Sequence, residues 1–275
     1  METPRLRPYA PVMVLMHPVT RPVGDLLREW RQHRRLSQLA LALDAEISTK
    51  HLSFLETGRS RPSREMVLHL ADLLDIPLRE RNALLQAAGF AALYPQHALS
   101  DPEMTAARQA VETVLAAHDP YPALAIDRHW TLLAANQATQ RLLAGAVAPA
   151  LLAPPVNVLR ASLHPDGLAP AIANLPVWRG HILARLRQQI AATADPALSA
   201  LAAELTAYPG GIDHPAPDDS GLVIPLQLRQ GDTVLSLFGT TTVFGTPVDI
   251  TLAELAVEAF YPADPATAQV LRAAA

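Results

Sequence analysis

Residues 36–63 read LSQLALALDAEISTKHLSFLETGRSRPS, and this stretch decides the fold of the N-terminal third of the chain. It holds two short runs with apolar residues at helical spacing, the first opening after Ser37 and the second after Ser48. Serine is a preferred N-cap because its hydroxyl accepts a hydrogen bond from a backbone N–H of the first helical turn. Because so few residues separate the two runs, we expect two short helices that cross steeply, as in a helix-turn-helix.

Further helices are expected on both sides, since two such short helices cannot bury a core by themselves. The segments with helical periodicity are VGDLLREWRQHRRL (23–36), REMVLHLADLLDI (64–76, capped by Ser63) and PLRERNALLQAAG (77–89, opened by Pro77). Residues 21–90 are therefore predicted to form an all-α bundle of five helices. Arg28 and Arg31 lie mostly off the apolar stripe of the first helix and are interpreted as solvated surface.

Composition and charge reduce the number of possible functions. Half of the residues are apolar and none is cysteine, which excludes disulfides and thiolate sites and favours a cytoplasmic location. No apolar run approaches the roughly 18–20 residues of a membrane span, so we expect no membrane partner, and residues 1–20 are interpreted as a disordered arm. Residues 21–64 carry nine Lys+Arg against five Asp+Glu, whereas residues 91–275 carry nine against sixteen. A basic block on an acidic chain indicates a polyanionic partner for the N-terminal region.

The motif of the N-terminal region points to a known family. Its residues follow the pattern Q-x-x-L-A-x(4)-I-S-x(3)-L-x(3)-E-x-G, carried by Gln38, Leu41-Ala42, Ile47-Ser48, Leu52, Glu56 and Gly58. This resembles the lambda-repressor-like helix-turn-helix regulators of the XRE type, over residues 23–89. That family usually has glycine in the turn, where this chain has Glu46. If this position is left-handed, a non-glycine residue there costs on the order of 1 kcal/mol.

The resemblance implies how double-stranded DNA would be bound. The helix after Ser48 would enter the major groove, with Lys50 donating to guanine and with Thr49 and Phe54 against thymine methyl groups. Phe54 would serve equally well as a core residue. The full set of implied DNA-binding residues is Gln38, Ser48, Thr49, Lys50, Ser53, Phe54, Thr57, Arg59 and Arg61. Of these, Gln38, Thr57, Arg59 and Arg61 would meet phosphates, which set affinity and register rather than sequence preference.

Residues 91–104 are interpreted as a linker, and residues 105–275 as a second domain of mixed α+β class. TAARQAVETVLAAH (105–118) predicts a helix that buries Val111, Val114 and Leu115, and the two short segments of 121–136 predict a β-hairpin. Asn136 is placed to cap the next helix. Residues 222–251 predict two or three more strands, and LAELAVEAF (252–260) predicts a final helix. Two strands, helices and further strands are the order of a PAS-like domain, an antiparallel sheet with covering helices.

Three segments of this domain resemble a second family. YPALAIDRHWTLLAAN (121–136), NVLRASLHPDGLAPAIANLPVW (157–178) and VLSLFGTTTVFGTPVDITLAELAVEAFYP (234–262) are similar to the MmyB-like ligand-binding domain of helix-turn-helix regulators. The resemblance implies a small-molecule effector, with fatty acyl ligands such as a fatty acid as the first candidates. No other cofactor is expected.

A PAS-like sheet with its helices can enclose an apolar pocket, and an acidic ligand would need a polar anchor there. The candidate ligand-binding residues are Arg160, His164, Trp178, Arg179 and His181, all in the segment expected to flank the pocket. Each has an alternative role: Arg160 could pair with Asp166 on the surface, and His164 could cap a loop before Pro165.

Two functions remain open on the sequence alone, and a third, an enzyme, is not expected. The first is a ligand-responsive transcription regulator that binds a palindromic operator as a homodimer. The second is a DNA-binding protein whose C-terminal domain serves only dimerisation or protein–protein contact. An enzyme is not expected, because no nucleophile, phosphate-binding or dinucleotide motif is present. The acidic segment DHPAPDDS (213–220) is interpreted as a solvated loop rather than a metal site, so no metal and no catalytic residue is assigned.

Overall fold

The computed structural model describes residues 21–213 and 223–273. They form two compact units, one of residues 21–75 and 81–91 and the other of residues 76–80 and 92–273. The first is all-α and the second combines an antiparallel sheet with helices, which confirms the predicted α+β class. The predicted arm (1–20) and nearly all of the acidic loop (214–220) lie outside the described residues.

The five predicted helices are present, all in the N-terminal unit except for the first turn of the fifth, and their serine caps are confirmed. The helices are α1 (Val23–His33), α2 (Gln38–Asp44), α3 (Thr49–Glu56), α4 (Arg64–Leu73) and α5 (Leu78–Ala87). The hydroxyls of Ser37, Ser48 and Ser63 accept hydrogen bonds from the backbone N–H groups three residues later, at 3.0, 3.1 and 3.2 Å. These caps satisfy N–H groups that the first turn of a helix leaves unpaired.

The turn between α2 and α3 places Glu46 in the left-handed conformation, with φ of 55°. The backbone N–H of Ile47 donates to the carbonyl of Ala42 at 2.9 Å, and that of Glu46 donates to Leu43 at 3.1 Å. This is the Schellman arrangement, which ends a helix with a left-handed residue. Glu46 therefore adopts the conformation for which glycine is usual, at a strain of about 1 kcal/mol.

Arg31 is not solvated surface as predicted; it is buried against Glu56 at the end of α3. The Arg31 guanidinium donates from Nε to Glu56 Oε1 at 2.6 Å and from Nη2 to Oε2 at 2.9 Å. Arg28 adds a hydrogen bond from Nη2 to the backbone carbonyl of Glu56 at 3.0 Å. Burial raises the pKa of the Glu56 carboxyl, but hydrogen bonds from Arg31 and Gln38 outweigh burial and lower the pKa overall. The ion pair thus ties α1 to α3.

The close crossing of α1 over α3 also depends on Gly24. A β-carbon at this position would lie 2.4 Å from the carbonyl oxygen of Leu55 and 2.7 Å from that of Glu56. Because neither backbone atom can move aside easily, any larger side chain would push α1 away from α3.

The C-terminal unit is built on a five-stranded antiparallel sheet in the order β2-β1-β5-β4-β3. The strands are β1 (Ala123–Ile126), β2 (Leu132–Ala135), β3 (Leu226–Gln230), β4 (Thr233–Val243) and β5 (Ala256–Pro262). The predicted hairpin is confirmed as β1 and β2, and the turn at Gly231 joins β3 to β4.

The prediction of a final helix over LAELAVEAF is wrong for its second half. A short helix, α11 (Ile250–Glu254), ends before Leu255, and the chain continues as β5 in the middle of the sheet. Within β5, Val257 and Ala259 pack on one side of the sheet, while Glu258 and Phe260 face the other. A short apolar run fits both a helix and a strand, and here pairing with β1 and β4 decides for a strand.

Helices pack on both faces of the sheet. They are α6 (Thr105–Ala117), α7 (Gln137–Ala146), α8 (Val158–Leu163), α9 (Leu175–Thr193), α10 (Pro196–Ala207) and α12 (Pro265–Ala273). α6 covers one face through Val111 and Leu115, whereas Val114, predicted to be buried, is exposed. α8, α9 and α10 build the larger core on the opposite face. Of the predicted linker (91–104), residues 92–104 belong to this unit, where Met104 is buried.

Candidate DNA-reading surface and ligand cavity

The α3 helix turns its predicted reading residues away from the N-terminal core. Its inward residues Leu52, Leu55 and Glu56 are buried, whereas Lys50 is exposed and Ser53 is half-buried. Residues three and four apart share one face of a helix, so this division follows directly from the spacing. Thr49 is also half-buried, and the helix is free to present these side chains to a groove.

Phe54 is neither a core residue nor fully exposed; it is half-buried beneath two cations. The Lys50 ammonium lies 5.6 Å from the centre of its ring and the Arg59 guanidinium lies 5.8 Å from it. Such cation–π contacts hold long side chains in place at an exposed site. Phe54 therefore gathers Lys50 and Arg59 into one positively charged patch at the end of α3.

The two cations of this patch, and Arg61 beyond it in the chain, have no acidic partner in the part of the chain that the structure describes. Lys50, Arg59 and Arg61 are exposed, and none of them forms an ion pair there. A cation without a carboxylate partner remains available to phosphate oxygens and base edges.

The other predicted DNA-binding residues make hydrogen bonds within the unit. Gln38 donates from Nε2 to Glu56 Oε2 at 2.8 Å, and Thr57 donates from Oγ1 to the carbonyl of Ser53 at 2.7 Å. Ser48 is exposed but its hydroxyl accepts from His51 as the cap of α3. Their assignment to DNA stays a prediction, because each has a structural role that explains its presence.

The C-terminal unit contains a cavity of about 570 Å³, within the range of roughly 300–1,000 Å³ that is usual for small-molecule sites. Its walls come from the sheet and from α7, α8 and α9, and they are mainly apolar. The apolar lining residues include Leu124, Trp130, Leu142, Leu143, Val158, Leu159, Leu168, Trp178, Ile182, Leu226, Leu237 and Phe260. The arrangement can hold a hydrophobic molecule away from water.

Two of the five predicted ligand-binding residues, Trp178 and His181, line this cavity. They lie on one face of α9 with Ile182 and Arg185, at positions i, i+3, i+4 and i+7. The rings of Trp178 and His181 are stacked with centres 5.4 Å apart. Burial, and then the charge of Arg185, lower the pKa of His181, so that its imidazole is neutral near pH 7.

The other three predicted residues do not line the cavity. Arg160 forms a bidentate ion pair with Glu204, at 2.8 and 2.7 Å, and not with Asp166. The His164 ring nitrogen Nδ1 accepts a hydrogen bond from the backbone N–H of Asp166 at 3.0 Å, as the loop-capping alternative predicts. Arg179 is fully buried and donates to the carbonyls of Tyr208, Pro209 and Gly211. Arg179 thus supports the loop after α10.

The sequence-based prediction missed a charged pair in the cavity wall, Arg185 of α9 and Glu258 of β5. Nη1 of Arg185 donates to Glu258 Oε2 at 2.8 Å and Nη2 donates to Oε1 at 2.5 Å. Thr241 joins the pair by accepting from Arg185 at 2.8 Å, and the guanidinium lies 4.6 Å from the ring centre of Trp130. The glutamate within the apolar run AVEAF could have indicated this pair from the sequence, since a buried carboxylate needs a partner.

A smaller cavity of about 410 Å³ lies in the same unit and shares Pro122, Leu142, Leu168 and Leu237 with the larger one. Two exposed arginines, Arg141 and Arg229, border it. Among the described residues no group of three or more histidine, aspartate or glutamate side chains could hold a metal ion. No helix in the described ranges is long and apolar enough to span a membrane.

Comparisons with known proteins agree with this division into a reading unit and a cavity unit. A family model described as a helix-turn-helix domain matches residues 22–84, and one described as the MmyB-like transcription regulator ligand binding domain matches residues 107–274. No curated protein gives a significant match.

Among solved structures, one titled as an RNA-binding light-oxygen-voltage receptor is 14% identical, with a TM-score of 0.28. The match covers 91% of this chain but only 60% of that receptor, and at this TM-score it supports no argument about fold or function. The family models do support an assignment, because the model of the MmyB-like ligand binding domain covers more than half of the chain. The chain belongs to the MmyB-like transcription regulators, with a helix-turn-helix DNA-binding domain followed by the ligand-binding domain of that family.

Proposed function

We propose that this regulator binds a palindromic operator as a homodimer in the cytoplasm, and that a small apolar ligand in the larger cavity changes its affinity for DNA. The observation that carries the proposal is an apolar cavity of about 570 Å³ in a chain that also exposes unpaired cations at the end of α3. Fatty acids and their derivatives are the ligand class we propose, since the cavity walls are largely aliphatic and aromatic.

The homodimer follows from the small size of the reading element. α3 is eight residues long, and one such helix contacts too few base pairs to give specificity. Two copies reading half-sites about one helical turn apart, roughly 10 base pairs, would double the contacts. The ligand would act by binding one arrangement of the dimer more tightly than another, because a ligand without such a preference shifts nothing.

The operator is tested by selecting tight binders from a pool of random DNA duplexes with the purified full chain. We expect an inverted repeat with half-sites about one helical turn apart. Lys50→Ala should select a different base at one position of each half-site. A single, unrepeated site would contradict the homodimer, and an unchanged sequence with Lys50→Ala would remove Lys50 from base recognition.

The ligand is tested by denaturing freshly purified protein, extracting it with organic solvent and analysing the extract by mass spectrometry. A stoichiometric apolar molecule is the expected result. An empty extract that stays empty after incubation of the protein with a mixed pool of fatty acids and esters would favour the alternative, a C-terminal domain used for dimerisation alone.

A further inference from the structure

The described residues that line the larger cavity carry no net charge. Among them, Arg185 is the one lysine or arginine and Glu258 is the one carboxylate. They are joined by two hydrogen bonds of 2.8 and 2.5 Å, and Thr241 bonds to both of them. Glu258 is 95% buried, so its partner cannot leave without exposing an uncompensated charge.

A ligand carboxylate would therefore find its natural partner already occupied. It would have to displace Glu258 from Arg185 or approach a second carboxylate in a site with little water, and both are unfavourable. His181 offers no substitute, because burial and Arg185 keep its pKa low and its ring neutral. The charges of the described lining residues thus disfavour an anionic head group in the larger cavity.

Neutral hydrogen-bond donors are available instead. His181 can present one N–H, and the Ser162 hydroxyl also lies in the wall. The two indole N–H groups are not available, because that of Trp178 is inaccessible even from the empty cavity and that of Trp130 donates to Gln189 Oε1 at 2.9 Å. Buried donors left unpaired are unfavourable, so an acceptor on the ligand would be stabilising.

We infer that the ligand is an uncharged acyl compound, such as an ester, amide or lactone, rather than a free fatty acid. This inference rests on the proposed function, since it names the head group of the apolar ligand proposed above. The competing site for a carboxylate is the smaller cavity, where Arg141 and Arg229 are exposed and have no acidic partner within the described residues.

The test compares three ligands with the same chain length on the delipidated full protein at pH 7.5: methyl myristate, myristate and tetradecane. Tryptophan fluorescence reports binding, since two of the three tryptophans line the cavity. We expect methyl myristate to bind at least tenfold more tightly than myristate and at least fivefold more tightly than tetradecane. If none of the three binds, the proposed function itself fails. Tighter binding of myristate overturns the inference while leaving the proposed function standing.

Desolvation costs less for an ester than for a carboxylate, so tighter binding of the ester alone does not prove a charge effect. Variants that change the charge of the cavity wall separate the two explanations. Glu258→Gln frees Arg185, and it should raise myristate affinity at least tenfold while changing methyl myristate affinity less than threefold. The double variant Arg185→Gln/Glu258→Gln restores neutrality and should bind both ligands as the unmodified protein does. Unchanged myristate affinity in folded Glu258→Gln would overturn the inference.

The site of a bound acid is tested with Arg141→Ala/Arg229→Ala. Loss of myristate binding in this variant would place the acid in the smaller cavity and overturn the inference.

Discussion

The two units use their cationic side chains in opposite ways. In the N-terminal unit, Lys50 and Arg59 are exposed over the Phe54 ring without a carboxylate partner in the described chain. In the C-terminal unit, Arg185 and Arg160 each hold a carboxylate through two hydrogen bonds. Lys50 and Arg59 therefore remain available to a polyanion, whereas Arg185 and Arg160 hold the fold of their own unit.

Arg31 is a paired cation inside the N-terminal unit, so paired and unpaired cations can be compared within one unit. It is buried with Glu56, while Arg59, three residues beyond Glu56, is exposed. Removing a partner from a buried pair should affect stability, and removing an unpaired cation should affect only DNA binding. The following predictions test this rule, from the largest effect to the smallest.

The largest effect is expected for Glu56→Ala. It leaves the buried Arg31 without a counter-charge, and the N-terminal unit should lose about 3–5 kcal/mol of unfolding free energy. Urea unfolding followed by circular dichroism measures this loss. Arg59→Ala, the control, should change stability by less than about 0.5 kcal/mol. A loss below about 1 kcal/mol for Glu56→Ala would mean that the pair does not hold α1 against α3.

The pH dependence of the same pair has a defined sign. The folded-state pKa of Glu56 is lowered, so its stabilising contribution is complete above the unfolded pKa of about 4.3 and is lost as the pH falls further. Stability measured from pH 6 to pH 3 should fall more steeply for the unmodified protein than for Glu56→Gln. Parallel curves would contradict the assignment.

The next effect concerns base recognition by Lys50. Lys50→Ala should weaken binding to the selected operator by about 1–3 kcal/mol, and most of this loss should fall on one base pair per half-site. Fluorescence anisotropy with operator variants measures both quantities. Arg160→Ala removes a cation from the other unit and should leave operator affinity unchanged. An equal loss on every DNA sequence would make Lys50 a phosphate contact.

Arg59→Ala should have a smaller, sequence-independent effect. Loss of one phosphate contact lowers the slope of log affinity against log salt by about one per site. Titrations at several salt concentrations give the slope, and Arg160→Ala again provides the control. If the slope does not change, Arg59 does not meet the DNA backbone.

The smallest effect is expected for the surface pair of Arg160 and Glu204. The Arg160 hydrogen bond lowers the pKa of Glu204 to about 2, against a smaller effect of burial. Solvent screens this half-exposed pair, so Glu204→Gln should change unfolding free energy by less than about 1 kcal/mol at pH 7. The difference should vanish as the pH falls from about 4.3 to 2. A loss as large as that of Glu56→Ala would remove the distinction between buried and exposed pairs.

Local signals made the N-terminal unit predictable from the sequence. Ser37, Ser48 and Ser63 cap their helices within three residues of chain, and a local rule can recognise such caps. Arg31 was misjudged because its partner lies 25 residues away, and helical periodicity carries no information about that contact. The exposed face of α3 follows from spacing alone.

The cavity was only partly predictable. Trp178 and His181 line the cavity, whereas Arg179 does not, because adjacent residues on a helix point about 100° apart. Glu258 was missed because its segment was taken for a helix, and only the strand's alternation turns it towards the cavity. Pairing of β5 with β1 and β4 is a long-range event that the local pattern cannot settle.

The central claim is that a ligand in the larger cavity changes the affinity of the N-terminal unit for DNA. It is tested most directly by measuring operator affinity with and without the ligand. Anisotropy titrations of the selected operator should be made with delipidated full-length protein, without ligand and with the tightest-binding acyl compound at a saturating concentration. We predict a change in operator affinity of at least fivefold, the lower end of typical allosteric coupling. Identical operator affinities, with tryptophan fluorescence confirming that the cavity is occupied, would contradict ligand control of DNA binding.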